Sequence, residues 1–171
     1  MNQPKMPAQT LLETFTSGSM LNWRIINDGV MGGRSNSQIE ILPGDIGRFR
    51  GNVSLDNFGG FASTRAILPV QLKDGYTKVL LKVKGDGKKY SFRIRTDVNF
   101  DGVSYKQDFT TKAGEWQEIE LVLANFIPTW RGRRLRNVPP IAATKIRQIG
   151  FFISDKQEGG FELLVDWVGL K

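Results

Sequence analysis

Neither cysteine nor histidine occurs among the 171 residues. The first absence removes disulfides, thiolate metal sites and cysteine nucleophiles, and it accords with a reducing compartment. The second removes the commonest general base, the usual zinc and iron ligand, and every serine triad built on imidazole. Enzyme chemistry is left with carboxylates such as Asp28, Asp108, Glu118, Glu120, Asp155, Glu158 and Asp166, several of which alternate with apolar residues as ordinary outward strand positions. The expectation is a protein that is not an enzyme and that uses no cofactor. No apolar run approaches the ~18 residues of a membrane span, so none is expected. Residues 1–10 are polar and proline-bearing, with neither an apolar signal core nor an arginine-rich amphipathic stretch. They read as a flexible tail on a single domain, residues 11–171, with a cytoplasmic location.

Apolar residues make up 40% of the chain and are spread along it, which is globular composition. Lys and Arg outnumber Asp and Glu by 24 to 17, and the resulting formal charge of +7 favours acidic surfaces in general. Short runs rich in β-branched and aromatic residues recur between Gly, Asp and Asn clusters. They predict about ten strands, at residues 23–27, 35–42, 47–55, 60–68, 77–84, 89–96, 103–111, 117–123, 146–154 and 160–170. None has a sustained helical period, so the fold class is all-β with little helix, a β-sandwich of jelly-roll type.

Strand alternation assigns the core to Val79, Leu81 and Val83; to Tyr90, Phe92 and Ile94; to Ile119, Leu121 and Leu123; to Ile149, Phe151 and Ile153; and to Phe161, Leu163, Val165 and Trp167. Gly85-Asp86-Gly87, lying between two alternating runs, predicts a tight hairpin. Residues 125–144, with Pro128, Pro139 and Pro140, predict a long loop.

Four stretches are candidates for function. Asn27, Asp28, Gly29, Val30, Met31, Gly32, Gly33, Arg34 and Ser35 put three glycines beside an arginine. Bared amides there would cradle an anion or a partner's carboxylate; alternatively Gly29, Gly32 and Gly33 shape a strand-to-strand corner that Val30 and Met31 plug. Gly59 and Gly60 make a second corner before Phe61, and Arg65 then shares a strand face with Phe61 and Ser63, where a buried guanidinium would need a partner. Arg93 and Arg95 lie side by side opposite Phe92 and Ile94, and Tyr105 or Gln107 on a neighbouring strand would edge that surface with polar and aromatic groups. Residues 126–136 interleave Trp130 with Arg131, Arg133, Arg134 and Arg136, a pattern suited to an acidic protein groove, to RNA, or to plain solvation. Asp97, Asn99 and Asp101 overlap a calcium-loop spacing, but Asp108 stands where that loop needs Glu and the flanks read as strands. A turn rich in Asp and Asn has the same letters.

The strings NDGVMGGRS after a tryptophan, FRGNVSLDNFGGFAS, the strand holding Arg93 and Arg95, NFIPTWRGR and IGFFISDKQEGGFEL occur in that order from about Leu11 to Leu170. Together they resemble the complex I intermediate-associated protein 30 family. The resemblance implies a galactose-binding-like jelly roll and a non-enzymatic role. Mitochondrial members look to be assembly chaperones of respiratory complex I, and plant and cyanobacterial relatives are linked to photosystem assembly or messenger RNA. With no visible transit peptide or long N-terminal extension, in which the chain departs from the mitochondrial members, the expectation is a stand-alone bacterial-type member. The resemblance carries over onto Asn27, Asp28, Gly29, Met31, Gly32, Gly33, Arg34, Ser35, Gly59, Gly60, Phe61, Arg131 and Gly132. The expected partner is a protein, engaged by the 27–35 corner, the Arg93 and Arg95 face and the 126–136 loop. A carbohydrate, met by Trp130 and Tyr105, and RNA, met by the basic loop, are the alternatives.

Overall fold

In a computed structural model, residues 10–171 are described, apart from the side chains of Val30, Met31 and Phe58. The expected tail therefore lies almost wholly outside the described residues, as do the plug assigned to Val30 and Met31 and the partner role assigned to the Met31 side chain. Among the described residues thirteen strands form two antiparallel sheets, and the helical elements are short 3₁₀ turns. In chain order they are β1 (Thr10–Glu13), β2 (Arg24–Ile25), β3 (Asn36–Leu42), β4 (Ile46–Val53), β5 (Ala62–Ile67), β6 (Lys78–Lys84), β7 (Lys89–Arg95), β8 (Ser104–Thr110), β9 (Trp116–Val122), β10 (Ile127–Trp130), β11 (Arg133–Arg134), β12 (Gln148–Ile153) and β13 (Gly159–Leu170). Sheet A runs β3-β4-β13-β6-β9, and sheet B runs β11-β10-β8-β7-β12-β5-β2. The long strand β13 is flanked by β6 on one side; β4 pairs its first half and β1 its last residues.

All ten expected strands are present, and up to Val165 of β13 the period-two pattern places the expected core side chains inward. Phe49, Leu81, Val83 and Leu163 from sheet A meet Phe92, Ile94, Phe151 and Ile153 from sheet B, all essentially without solvent contact. Burying one such side chain stabilises by about 1.5–3 kcal/mol, so this layer is the main term holding the sheets together. Three strands go beyond the expectation: β1, and the β10–β11 hairpin inside the stretch predicted as loop. Arg131 and Gly132 form that hairpin's turn, both at positive φ (50° and 81°), the pairing of signs a two-residue type I′ turn requires.

Three sequence expectations are corrected. Gly85-Asp86-Gly87 is not a hairpin, because β6 belongs to sheet A and β7 to sheet B; the turn carries the chain from one sheet to the other. Alternation within each strand says nothing about whether the two pair with each other. Trp167 does not join the core. An irregularity in β13 between Val165 and Trp167 shifts the register, so Trp167 pairs with outward Lys82 while Val168 and Leu170 turn inward. Tyr105 pairs with inward Ile94, is buried, and donates its hydroxyl to the Pro139 carbonyl at 3.2 Å, so it edges no outer face.

The glycine-rich 27–35 segment carries the chain from β2 in sheet B to β3 in sheet A, and residues 54–61 carry it back from β4 to β5. Asp28 joins these two crossings. Its side chain is fully buried, and its carboxylate accepts from the Ser35 amide at 2.9 Å, the Ser35 hydroxyl at 2.5 Å, the Gly60 amide at 2.6 Å and the Phe61 amide at 3.2 Å. Gly33 and Gly59 lie so close to this carboxylate that a Cβ at either would collide with it. Gly32 and Gly60 hold positive φ beside them, whereas a Cβ at Gly29 would meet open space. Asn27 extends the joint, its Oδ1 accepting from the Ser37 hydroxyl at 2.7 Å and the Ser63 amide at 3.2 Å. Burial opposes ionisation of Asp28, but the hydrogen bonds from Ser35, Gly60 and Phe61 outweigh it and hold its carboxyl below the ordinary 3.8.

A group whose native pKa is depressed contributes stability above its unfolded pKa, and that contribution fades as pH falls through the native value. Asp28→Asn leaves an amide NH₂ facing donors or forces a flip, and hydrogen bonds to a charged group contribute about 1.5–3 kcal/mol. The expected outcome at pH 7 is a fall in melting temperature of about 5–10 °C. Melts repeated below pH 4 narrow the gap between wild type and variant; an unchanged gap contradicts the assignment.

Candidate functional site

The outward faces of the two sheets differ in how their charges are paired. Sheet A neutralises itself: Arg48 meets Glu40 at 2.6 Å and Glu162 at 3.7 Å, Arg50 meets Glu40 at 3.5 Å, Lys78 meets Glu120 at 3.0 Å and Lys82 meets Asp166 at 3.8 Å. Sheet B does not. Strand register sets Arg24 beside Arg65, Arg65 beside Gly150, Gly150 beside Arg93 and Arg93 beside Lys106, all facing outward in one row across the middle of the sheet. Neighbouring strands lie about 4.8 Å apart. Among the described residues no carboxylate comes within ion-pair distance of Arg24, Arg65, Arg93 or Arg95.

Residues 97–102 cross one end of this face as a strap held by its own carbonyls. The Arg65 guanidinium donates to Phe100 O at 2.6 Å and Arg95 donates to Gly102 O at 2.7 Å. Gln148 Nε2 donates to both Asp97 O and Asn99 O, at 2.9 and 3.1 Å. From the neighbouring hairpin, Trp130 Nε1 donates to Asp101 O at 3.1 Å, and Arg131 grips the Asp101 carboxylate through two nitrogens at 2.9 and 2.6 Å while covering the Trp130 ring at 4.7 Å. Phe100 lies against the Arg65 guanidinium, 4.9 Å from ring centroid to Cζ. Burial, then the like charge of Arg95 and Arg24, lowers the Arg65 pKa to about 10. Burial likewise lowers that of Arg95.

Arg93 stands apart from the strap. Its Nε donates to Ser91 Oγ at 3.0 Å, and its guanidinium lies over the Phe152 ring at 3.8 Å. Phe152 stacks in turn on Phe61, with ring centroids 4.9 Å apart at 12°. Burial, then Arg95, lowers the Arg93 pKa to about 10.

The structure thus distributes the sequence candidates unevenly. Arg65 and Arg95 lie together on one face with Arg93, but two of the three are engaged by the strap. Trp130 and Arg131 are engaged by it too, while Arg133 and Arg134 sit exposed on the edge strand β11. Asn27 and Asp28 serve the joint between sheets, and Arg34 is exposed beside it, near the end of sheet B away from the strap. The Asp97, Asn99 and Asp101 loop turns on Asp97 Oδ1, which accepts from the Asn99 amide at 3.0 Å, and Asp101 is taken by Arg131. Among the described residues no three His, Cys, Asp or Glu side chains gather to hold a metal. Sequence reasoning passed over Arg24, Lys106, Gln148 and Phe152. The signal for Phe152 was present: in Phe151-Phe152 one ring must face away from the core.

Gln148→Met keeps length but removes the donor to Asp97 O and Asn99 O, about 1–2 kcal/mol of local stability. Hydrogen exchange of amides 97–102 is expected to quicken about tenfold, with amides of β6 and β13 unchanged. Unchanged strap exchange contradicts the strap's dependence on Gln148.

Comparison with solved structures gives the same fold. The family 11 carbohydrate-binding module from Clostridium thermocellum, in complex with a β-1,3-1,4-mixed-linked tetrasaccharide, matches over 95% of each chain with a TM-score of 0.72 at 19% identity. A family 29 module complexed with mannohexaose matches over 95% of this chain and 89% of its own, with a TM-score of 0.60 at 8% identity. Identities this low speak for the fold alone. In sequence, the chain is 28% identical over 169 residues to mouse "Complex I intermediate-associated protein 30, mitochondrial", covering 86% of this chain and 51% of the relative. The Drosophila melanogaster protein of the same name is 25% identical over 171 residues, covering 87% and 58%. The chain spans about half the length of these curated relatives. The family model "Complex I intermediate-associated protein 30 (CIA30)" matches residues 13–165, and the chain belongs to that family.

Proposed function

We propose that this chain is a non-catalytic assembly factor that binds a protein partner through the outward face of sheet B, and that the partner belongs to a respiratory complex I intermediate. The observation that carries the reading is the row Arg24, Arg65 and Arg93, three guanidinium groups with no carboxylate at ion-pair distance among the described residues, while the opposite face of the sandwich pairs its own charges. Uncompensated, partly desolvated guanidinium groups are costly in a free protein and favourable in a complex that supplies acidic groups. Arginine is also the cation best suited to interface ion pairs. The names of the relatives support the choice of client, and the absence of Cys and His from the sequence supports a role without catalysis. Among the described residues no helix is long and apolar enough to cross a membrane, and we place the protein in the cytoplasm, acting on a membrane complex from its aqueous side.

The carbohydrate reading is weaker on this face. Sugar rings stack on open aromatic planes, whereas Phe152 is covered by Arg93 and stacked on Phe61, and Trp130 is covered by Arg131. Nor does the basic hairpin offer RNA an open stacking platform, since Trp130 is its only aromatic ring and is already occupied.

The test is affinity capture from solubilised membranes of the native host, with wild type against the double variant Arg24→Glu and Lys106→Glu. Complex I subunits are expected with wild type and at least tenfold depleted with the variant. Equal recovery, or saturable binding of a mixed-linked glucan tetrasaccharide that the same variant abolishes, overturns the proposal.

A further inference from the structure

Along the row on sheet B, the cations are not equivalent. Arg65 and Arg95 each give one terminal nitrogen to a strap carbonyl. Lys106 lies 3.5 Å from Asp108, and Lys89 meets Asp155 at 2.7 Å and Asp108 at 3.8 Å. The nearest acidic groups are therefore already shared among lysines. Arg93 uses only Nε, toward Ser91, and among the described residues its two terminal NH₂ groups have no hydrogen-bond partner.

Arg93 is also fixed in place. Strands β7 and β5 flank β12, so Arg93 and Phe61 approach Phe152 from opposite sides, making a stack of guanidinium, ring and ring across the sheet. Such stacking removes rotamer freedom before any ligand arrives, which lowers the entropic cost of binding. Beside it, position 150 admits only glycine: a Cβ there would lie 2.6 Å from Thr64 O and 2.9 Å from the Arg65 Cβ, so no side chain stands between Arg65 and Arg93 in the row.

We propose that Arg93, stacked on Phe152 with its terminal nitrogens open beside Gly150, is the receptor for one carboxylate of the partner protein, an aspartate or glutamate side chain bound through both oxygens. The planar fork of a guanidinium matches a carboxylate in two parallel hydrogen bonds. Asp108 and Asp155 already offset Lys106 and Lys89, so the open guanidinium of Arg93 meets no carboxylate of its own chain among the described residues. Phe152 and Phe61 supply an apolar wall, so the acidic residue is flanked by apolar neighbours in the partner. This assignment rests on the reading that sheet B binds a protein.

The experiment uses the full chain at low ionic strength, with side-chain ¹⁵N NMR reading the Arg93 Nε–H. The probes are acetyl-Leu-Glu-Leu-amide, the same peptide with Gln for Glu, and inorganic phosphate. The Glu peptide is expected to shift the Arg93 signal saturably and at least tenfold more tightly than the Gln peptide, and no more weakly than phosphate. Arg93→Lys keeps the charge but loses the fork, and is expected to weaken the Glu peptide about fivefold or more while its backbone spectrum stays dispersed as in wild type. Equal binding of the two peptides, tighter binding of phosphate, or an Arg93→Lys protein that binds as wild type does would each overturn the assignment. The two proposals fail separately. Peptide binding lost in Arg93→Lys, with complex I capture absent in the wild type, refutes the assembly reading and leaves the carboxylate receptor standing. Capture that depends on Arg24 and Lys106, with peptides indifferent to Arg93, refutes the receptor alone.

Discussion

A guanidinium drawn out of water must donate its N–H groups to something, and on sheet B this requirement organises everything above the sheet. Arg65, only 7% exposed, and Arg95 have no carboxylate beside them; they find backbone carbonyls instead, and those carbonyls belong to residues 97–102. Gln148 holds the same segment from β12, and Trp130 and Arg131 hold it from the edge hairpin. The strap therefore owes its position to side chains from four different strands. It also answers why two arginines that sequence reasoning offered to a partner are not available to one. Neutral carbonyls satisfy hydrogen bonds but leave the charge in place, so the face stays cationic after the strap is docked. Arg93, beyond the strap's reach, retains both its charge and its open donors.

The other fixed point of the molecule is the buried carboxylate of Asp28. A sandwich whose chain passes repeatedly between sheets needs its crossings held, and here two crossings meet on one side chain. The glycines around it are present for space: a methyl group at position 33 or 59 would occupy the volume of the carboxylate. A motif that looks like an anion cradle from its letters is thus an internal one, and the anion it holds is the protein's own. Fifteen residues before Asp28 in the chain, Glu13 does similar work, accepting from the Trp23 indole at 2.7 Å and from the amides of Thr14 and Phe15 at 2.9 Å, with Trp23 lying between Phe15 and Phe151.

Much of this was legible in the sequence because a strand's side-chain period is short and local. Tyr90, Phe92 and Ile94 against Ser91, Arg93 and Arg95 could be sorted from six consecutive residues without knowing any neighbour. What was not legible is what depends on partners in the sheet. The turn at residues 85–87 looked like a hairpin because both flanking runs alternate, yet the strands lie in different sheets. Trp167 was misplaced by one irregularity in β13, which no composition announces. Tyr105 and the row from Arg24 to Lys106 are matters of register between strands far apart in sequence, and Arg131 finds Asp101 only once a hairpin and a strap have folded. The two features of the candidate site that mattered most, the strap's consumption of Arg65 and Arg95 and the stacking of Arg93 on Phe152, are of this long-range kind.

The central claim is that one outer face of the sandwich binds a protein and the other does not. It is tested most directly by in-cell photo-crosslinking from Ile127→p-benzoylphenylalanine, whose position pairs with Lys106 at the end of the cationic row, against Leu164→p-benzoylphenylalanine, whose position pairs with Arg48 and Lys84 on sheet A. The account predicts adducts with complex I subunits from position 127 and none from position 164. Adducts from position 164, or equal yields from both, would contradict it.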